Sequence, residues 1–248
     1  MRRAAAALAL AALAAPAAAA CPEMPAVARF ALDLLERREP APFPGLGPAD
    51  ARCAQERLVA MLAQPWGDVS GHALAADVAP PLRGALFFAN LRESSGATLA
   101  ARYGARPALA PGLLLRLGPD GGVEAASPYL ALLDLAATPG EGVAARVAGN
   151  LGLRLGVVGA SAPLPAPGAL PRAMLQAGGG AMAAGLGFTA PPAALLAGLA
   201  RDLAAEGRPL RPGEHVALLG PPVPVPPRPG ETWRLDVEGL GAVSVAFR

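Results

Sequence analysis

The apolar positions follow two different rhythms, and the change of rhythm marks how the chain is organised. From Pro25 to Glu36, Val27, Phe30, Leu34 and Leu35 recur at the spacing of one helix face. After a proline-rich linker, "EPAPFPGLG", Asp50 reads as the N-cap of a second helix. That helix runs through Ala51, Gln55, Leu58 and Leu62 to Pro65-Trp66-Gly67. From residue 69 the pattern changes to short apolar runs separated by turn residues. "GALFFANL", "GLLLRLG", "YLALLDLA" and "LGLRLGVVG" predict strands, with "GPDGG" a turn between two of them. One long helix is inserted, "APPAALLAGLARDLAAEG", with two prolines at its start and Gly207 as terminator. "EHVALLG", "TWRLDV" and "GAVSVAF" follow, the last two alternating across Glu238-Gly239-Leu240-Gly241 as a hairpin. The glycine-rich "AGGGAMAAGLG" at 177–187 reads as a loop, because no helix start follows it to bind a phosphate.

The first twenty residues stand apart from this pattern. Arg2 and Arg3 precede an alanine-rich apolar run too short to span a bilayer. Pro16 breaks the run, and Ala18-Ala19-Ala20 is a cleavage signal before Cys21. This is the pattern of a secretory signal peptide and predicts a periplasmic or secreted protein. Cys21 then has two competing fates. It can pair with the other cysteine, Cys53, in a disulfide contributing roughly 3–4 kcal/mol, or it can carry a lipid anchor. The alanine at position 18, where a lipobox usually has leucine, favours the disulfide, and membrane contact is expected only if Cys21 is acylated.

Composition removes several chemistries. The formal charge of +2 gives no footprint for nucleic acid or an anionic membrane. All 21 basic residues are arginine, which excludes Schiff-base lysines and P-loop phosphate binding. Two histidines, His72 and His215, and two cysteines cannot build a Cys/His metal cluster. "GASAP" lacks the pattern of a nucleophile elbow, so Ser161 reads as a loop residue. Asp202 and Glu206 read as an exposed helix face. His72, beside Gly71 at a strand end, is a candidate base whose blander reading is structural. Arg116 and Arg154, each inside an apolar strand run, are candidate carboxylate holders; the blander reading turns both outward.

The closing stretch, "GRPLRPGEHVALLGPPVPVPPRPGETWRLDVEGLGAVSVAF", resembles the end of the 2-keto-4-pentenoate hydratase and oxalocrotonate decarboxylase branch of the fumarylacetoacetate hydrolase family. Gly207, Leu210, Gly213, Glu214, Gly220, Gly230, Glu231 and Gly239-Leu240-Gly241 match its pattern in order. "PLRGALF", "ADARCAQERL" and the helix from Pro192 extend the likeness over most of the chain. The resemblance implies an α+β fold: a mixed β-sandwich roll of the fumarylacetoacetase C-terminal type with peripheral helices. With the signal peptide read at 1–20, the chain divides into an N-terminal helical segment at 21–68 and, by the resemblance, a hydratase-like β-roll domain at 69–248, with homo-oligomers as a family habit.

The family holds magnesium or manganese on three carboxylates, and the metal stabilises the enolate of a 2-oxo acid. The resemblance puts these carboxylates on Ala110, Gly112 and Ala131, the family's lysine on Ala73 and its hydroxyl-bearing residue on Leu219. Scaffold signals persist while the chemical side chains are replaced. The expectation is therefore a degenerate, non-catalytic relative without a cofactor that binds a small organic acid. The alternative is an active hydratase or lyase with ligands elsewhere, on Glu93, Glu124 or Asp134. A second alternative is a lipid-anchored structural or interaction protein.

Overall fold

The computed structural model describes residues 21–139, 142–166 and 168–248; the leader pattern of residues 1–20 lies outside these. Two helices come first, α1 (Met24–Leu35) and α2 (Pro48–Trp66). Val27, Phe30 and Leu34 of α1 pack against Leu58, Leu62 and Trp66 of α2. Helix α2 starts two residues before the expected N-cap. Pro48 supplies the preset φ of a first helical residue, and Asp50 sits three residues in, its Oδ2 accepting the Gly47 N–H at 3.2 Å. A disulfide joins Cys21 to Cys53 of α2.

The rest of the chain forms β1 (Val69–Ala75), β2 (Leu82–Phe87), β3 (Glu93–Ser94), β4 (Ala97–Leu99), β5 (Pro107–Leu117), β6 (Val123–Asp134), a short α3 (Val143–Ala148) and β7 (Leu153–Val158). Then come β8 (Ala173–Ala177), β9 (Gly180–Ala184), α4 (Pro192–Ala205), β10 (His215–Leu219), β11 (Thr232–Val237) and β12 (Gly241–Phe247). One sheet has the order β2-β1-β10-β5-β6-β7-β3, the other β4-β12-β11-β8-β9. Both are mixed: β1 runs parallel to β10, β3 to β7 and β4 to β12, while the remaining pairs are antiparallel.

Two expectations need correction. Residues 177–187 are largely not a loop, because β8 and β9 pair as a hairpin about Gly178-Gly179, both at positive φ (54° and 83°). That dipeptide is a hairpin turn signal. The run "GALFFANL" is a strand only to Phe87. Asn90 then closes a 3-10 turn by accepting the Phe87 N–H at 2.7 Å.

The inner faces of the sheets meet with α4 in the main core. Leu109, Leu113 and Leu115 of β5 and Leu130 and Leu132 of β6 pack there with Trp233, Leu235, Val243 and Leu199. The opposite face of the first sheet is buried too, by a second cluster that includes Leu82, Leu86, Leu151 and Leu153. Burial on both faces explains why β5 and β6 are apolar at nearly every position instead of alternating.

The outer edge of β2 is covered by side chains. Gln55 Nε2 donates to the Arg83 carbonyl at 2.8 Å. Asn150 accepts the Ala85 N–H at 2.7 Å and donates to the Ala85 carbonyl at 3.0 Å. These buried amides satisfy an edge that would otherwise lack partners.

Candidate functional site

The positions that the resemblance singles out lie at the second cluster of the first sheet. Ala110 lies directly across from Ala131, and Gly112 is flanked by Tyr129 on one side and Leu219 on the other. Ala73 lies across from Ala217 on the parallel neighbour. Alternation along each strand puts Ala73, Ala110, Ala131 and Leu219 on one face, together with Tyr129 and Leu114. The positions drawn from the resemblance thus converge on one place.

That place is closed and apolar. Ala73, Ala110 and Ala131 are fully buried, and Leu219 nearly so. A Cβ on Gly112 would stand 2.5 Å from the Leu218 carbonyl, so this position has become a packing glycine. The Tyr129 hydroxyl donates to the Asn90 carbonyl at 3.0 Å, and burial pushes its pKa well above the ordinary tyrosine value.

The other candidates are dispersed. His72 sits within β1, not at its end. It lies on the side of Leu74, away from Ala73, and burial pulls its pKa down. Arg116 is half-exposed and pairs with Glu124 at 3.1 Å. Arg154 does not point outward as the blander reading has it. Its guanidinium carbon lies 4.4 Å over the Trp66 ring, and its Nε is buried without a hydrogen-bond partner. Burial first, and then Arg37, lower its pKa.

The alternative ligands do not meet. Glu93 pairs with Arg92. Glu124 and Asp134 lie ten residues apart on one strand, about 33 Å. Asp134 is already engaged at both oxygens by the N–H groups of Ala105, Arg106 and Ala136. Cys21, bonded to Cys53, has no free sulfur for an acyl chain, so disulfide and anchor exclude each other.

A feature that sequence reasoning missed lies beside β2. A groove of about 820 Å³ runs between α4 and the starts of α2 and α3, over the turn joining β1 to β2. None of Ala73, Ala110, Gly112, Ala131 or Leu219 lines it. At one end Glu206, at the C-terminus of α4, gathers three arginines. Arg83 Nη2 donates to both of its oxygens (3.0 and 2.8 Å), Arg208 approaches at 2.7 Å and Arg52 at 3.4 Å. Glu206 is exposed, as expected for that helix face, but it is also the centre of an ion-pair cluster. The available signal was Arg83, a lone charge within the apolar run "PLRGALF", but its partner stands 123 residues away.

The hydrogen bonds from Arg83 and Arg208 hold the Glu206 carboxyl down at about 2, below its ordinary 4.5. Because the folded value is depressed, the associated stability is fully present above about 4.5. It is lost as the pH falls towards about 2. Chemical denaturation of wild type and Glu206→Gln is expected to show a gap that narrows across this window; a constant gap would count against the pairing.

No family model matches this chain, and no curated protein matches it. Solved structures do. 4-Oxalocrotonate decarboxylase from Pseudomonas putida G7, complexed with magnesium and adipate, superposes with a TM-score of 0.76 at 17% identity, over 91% of this chain and 97% of that one. The same enzyme with calcium and acetate gives 0.75 at 18%, over 91% and 96%. Fumarylpyruvate hydrolase from Pseudomonas aeruginosa, with Mn²⁺ and pyruvate, gives 0.51 at 17%, over 75% and 84%. The fold is that of the fumarylacetoacetate hydrolase family. Within it, the likeness to oxalocrotonate decarboxylase spans nearly the whole of both chains.

These structures correct the expectation of no cofactor. They hold magnesium, calcium or manganese, so a divalent cation is the group this fold implies. The residues at the converging face do not fit such an ion. Ala73, Ala110, Gly112, Ala131 and Leu219 offer no side-chain oxygen, and among the described residues no three His, Cys, Asp or Glu side chains come together as a metal site.

Proposed function

We propose that this chain is an exported, non-catalytic relative of the 2-keto-4-pentenoate hydratases and oxalocrotonate decarboxylase that binds a small organic acid. The observation that carries the reading is the converging face itself. The scaffold positions are kept, but their side chains are methyl groups, a glycine hydrogen and an isobutyl group. Enolate chemistry needs opposite charge placed where negative charge develops, and this face supplies none.

Binding of an organic acid is supported by the arginine-rimmed groove and by the adipate and acetate held in the similar decarboxylase. Export is supported by the leader pattern and by the Cys21–Cys53 disulfide, since such bonds persist mainly in oxidising compartments.

The direct test is turnover. The purified chain, supplied with Mg²⁺ or Mn²⁺ and either 2-keto-4-pentenoate or 4-oxalocrotonate, is expected to show no loss of substrate absorbance beyond a protein-free control. Turnover proportional to protein concentration would overturn the non-catalytic reading.

A further inference from the structure

The groove beside β2 has two unlike ends. Along most of its length the walls are apolar, with Leu74, Leu82, Val147, Leu195 and Leu199 behind the Pro80-Pro81 turn. It follows α4 from Ala194 to Glu206, twelve residues and therefore about 18 Å. Its volume of about 820 Å³ lies in the range of pockets that enclose a small molecule. The Glu206 end is polar: Arg52, Arg83 and Arg201 line it against Asp202 and Glu206, and Arg208, outside the lining, also pairs with Glu206.

We propose that this groove binds a carboxylate with an extended apolar body, a medium-length acyl chain being the simplest case. Arg83 and Arg52 take the head group while Glu206 acts as a resident competitor for the same donors. The proposal deepens the organic-acid reading above and rests on it for the ligand's charge, but it does not depend on the absence of turnover.

Charge decides the head group. Three lining arginines (Arg52, Arg83 and Arg201) face two lining carboxylates (Asp202 and Glu206), and Arg208 adds positive charge beside Glu206, so an incoming anion meets attraction even with Glu206 in place. An amine would meet repulsion, and an alcohol would forgo the charge-assisted pair. Arg83 is suited to the anchoring role. Its side chain is only 14% exposed, and its Nη2 is already engaged by both oxygens of Glu206, so the guanidinium is placed before a ligand arrives. Glu206 is one-third exposed at the end of a helix and can swing towards water when its donors are taken. Lining alone decides the body: a head group at Glu206 directs the remainder of the ligand along α4 between the leucines.

The test is calorimetric titration of the disulfide-bonded chain with decanoate, decanol and decylamine, all below their aggregation concentrations. Decanoate is expected to bind saturably, and decanol and decylamine at least about tenfold more weakly. Arg83→Gln is expected to weaken decanoate about tenfold and leave decanol unchanged, whereas Glu206→Gln, which removes the competitor, is expected to strengthen decanoate.

Gly198→Trp provides a variant that avoids the ion pairs. A Cβ on Gly198 meets nothing nearer than 3.9 Å, so a bulky side chain there fills the groove from an open position and is expected to abolish decanoate binding in a folded protein. Equal affinities for decanoate and decanol, decanoate binding that survives Gly198→Trp, or no saturable binding of decanoate would each overturn the proposal. Turnover of a 2-oxo acid alongside intact decanoate binding would instead overturn only the non-catalytic reading.

Discussion

Ala131→Glu, which places a carboxylate where the resemblance puts one of the family's, is expected to cost the protein about 3–5 kcal/mol or prevent folding outright. Ala131 is fully buried, lies across from Ala110 on one side and Gly156 on the other, and shares its cluster with Leu82, Leu86 and Leu153. A carboxylate there leaves water without gaining a cation or a donor set. Ala131→Leu separates the two contributions, because it adds comparable bulk without charge and is expected to cost only about 1–3 kcal/mol.

The excess in Ala131→Glu should depend on pH in a defined direction. Burial raises the folded carboxyl pKa above its unfolded value. The charge penalty is therefore largest near neutrality and shrinks as the pH falls through the raised value towards about 4.3. Urea denaturation at two pH values measures it. If Ala131→Glu proves as stable as wild type near neutral pH, then water or a cation reaches this face, and the view that the place of the chemistry has been filled with core fails.

The same face shows what could and could not be read in the sequence. Strand rhythm and turn chemistry located β5, β6, β7 and the β11–β12 hairpin, because each is bounded by Gly, Pro or Asp that stops an apolar run. Periodicity alone did not say that Ala110 and Ala131 touch, since cross-strand partners twenty-one residues apart are fixed by pairing, not by spacing. It was the resemblance that tied these positions to one site. The groove escaped because its parts come from α2, α3, α4 and the β1–β2 turn. Nothing local to Arg83 announces that Glu206 will fold back onto it. The hairpin of β8 and β9 was missed for a different reason. Six of the ten residues in its strands are Ala or Gly, the rest are Met, Leu and Gln, and neither strand carries the β-branched or aromatic residues that mark a strand.

Asp134→Ala tests the other route to chemistry, in which an acid outside the converging face serves as a metal ligand. The substitution is expected to destabilise the fold by about 3–5 kcal/mol, because it orphans several inward-facing donors at once. The carboxylate is only 2% exposed. Its Oδ2 accepts the Ala105 N–H at 2.9 Å, and its Oδ1 accepts those of Arg106 at 2.9 Å and Ala136 at 3.1 Å. These bonds pin the loop before β5 to the turn after β6, so one side chain fixes where β5 begins and β6 ends. Asp134→Asn, which keeps a single acceptor oxygen, should recover part of the loss.

The two roles predict different patterns when Mn²⁺ is added to the variants. An acid that holds structure loses stability on substitution by the same amount with or without the ion. An acid that ligates metal gives wild type an increment with Mn²⁺ that the variant lacks. Equal losses in both conditions are expected, because the three N–H groups already occupy both oxygens of Asp134. An Mn²⁺-dependent difference would return Asp134 to the list of ligands and reopen metal-assisted chemistry at the end of β6.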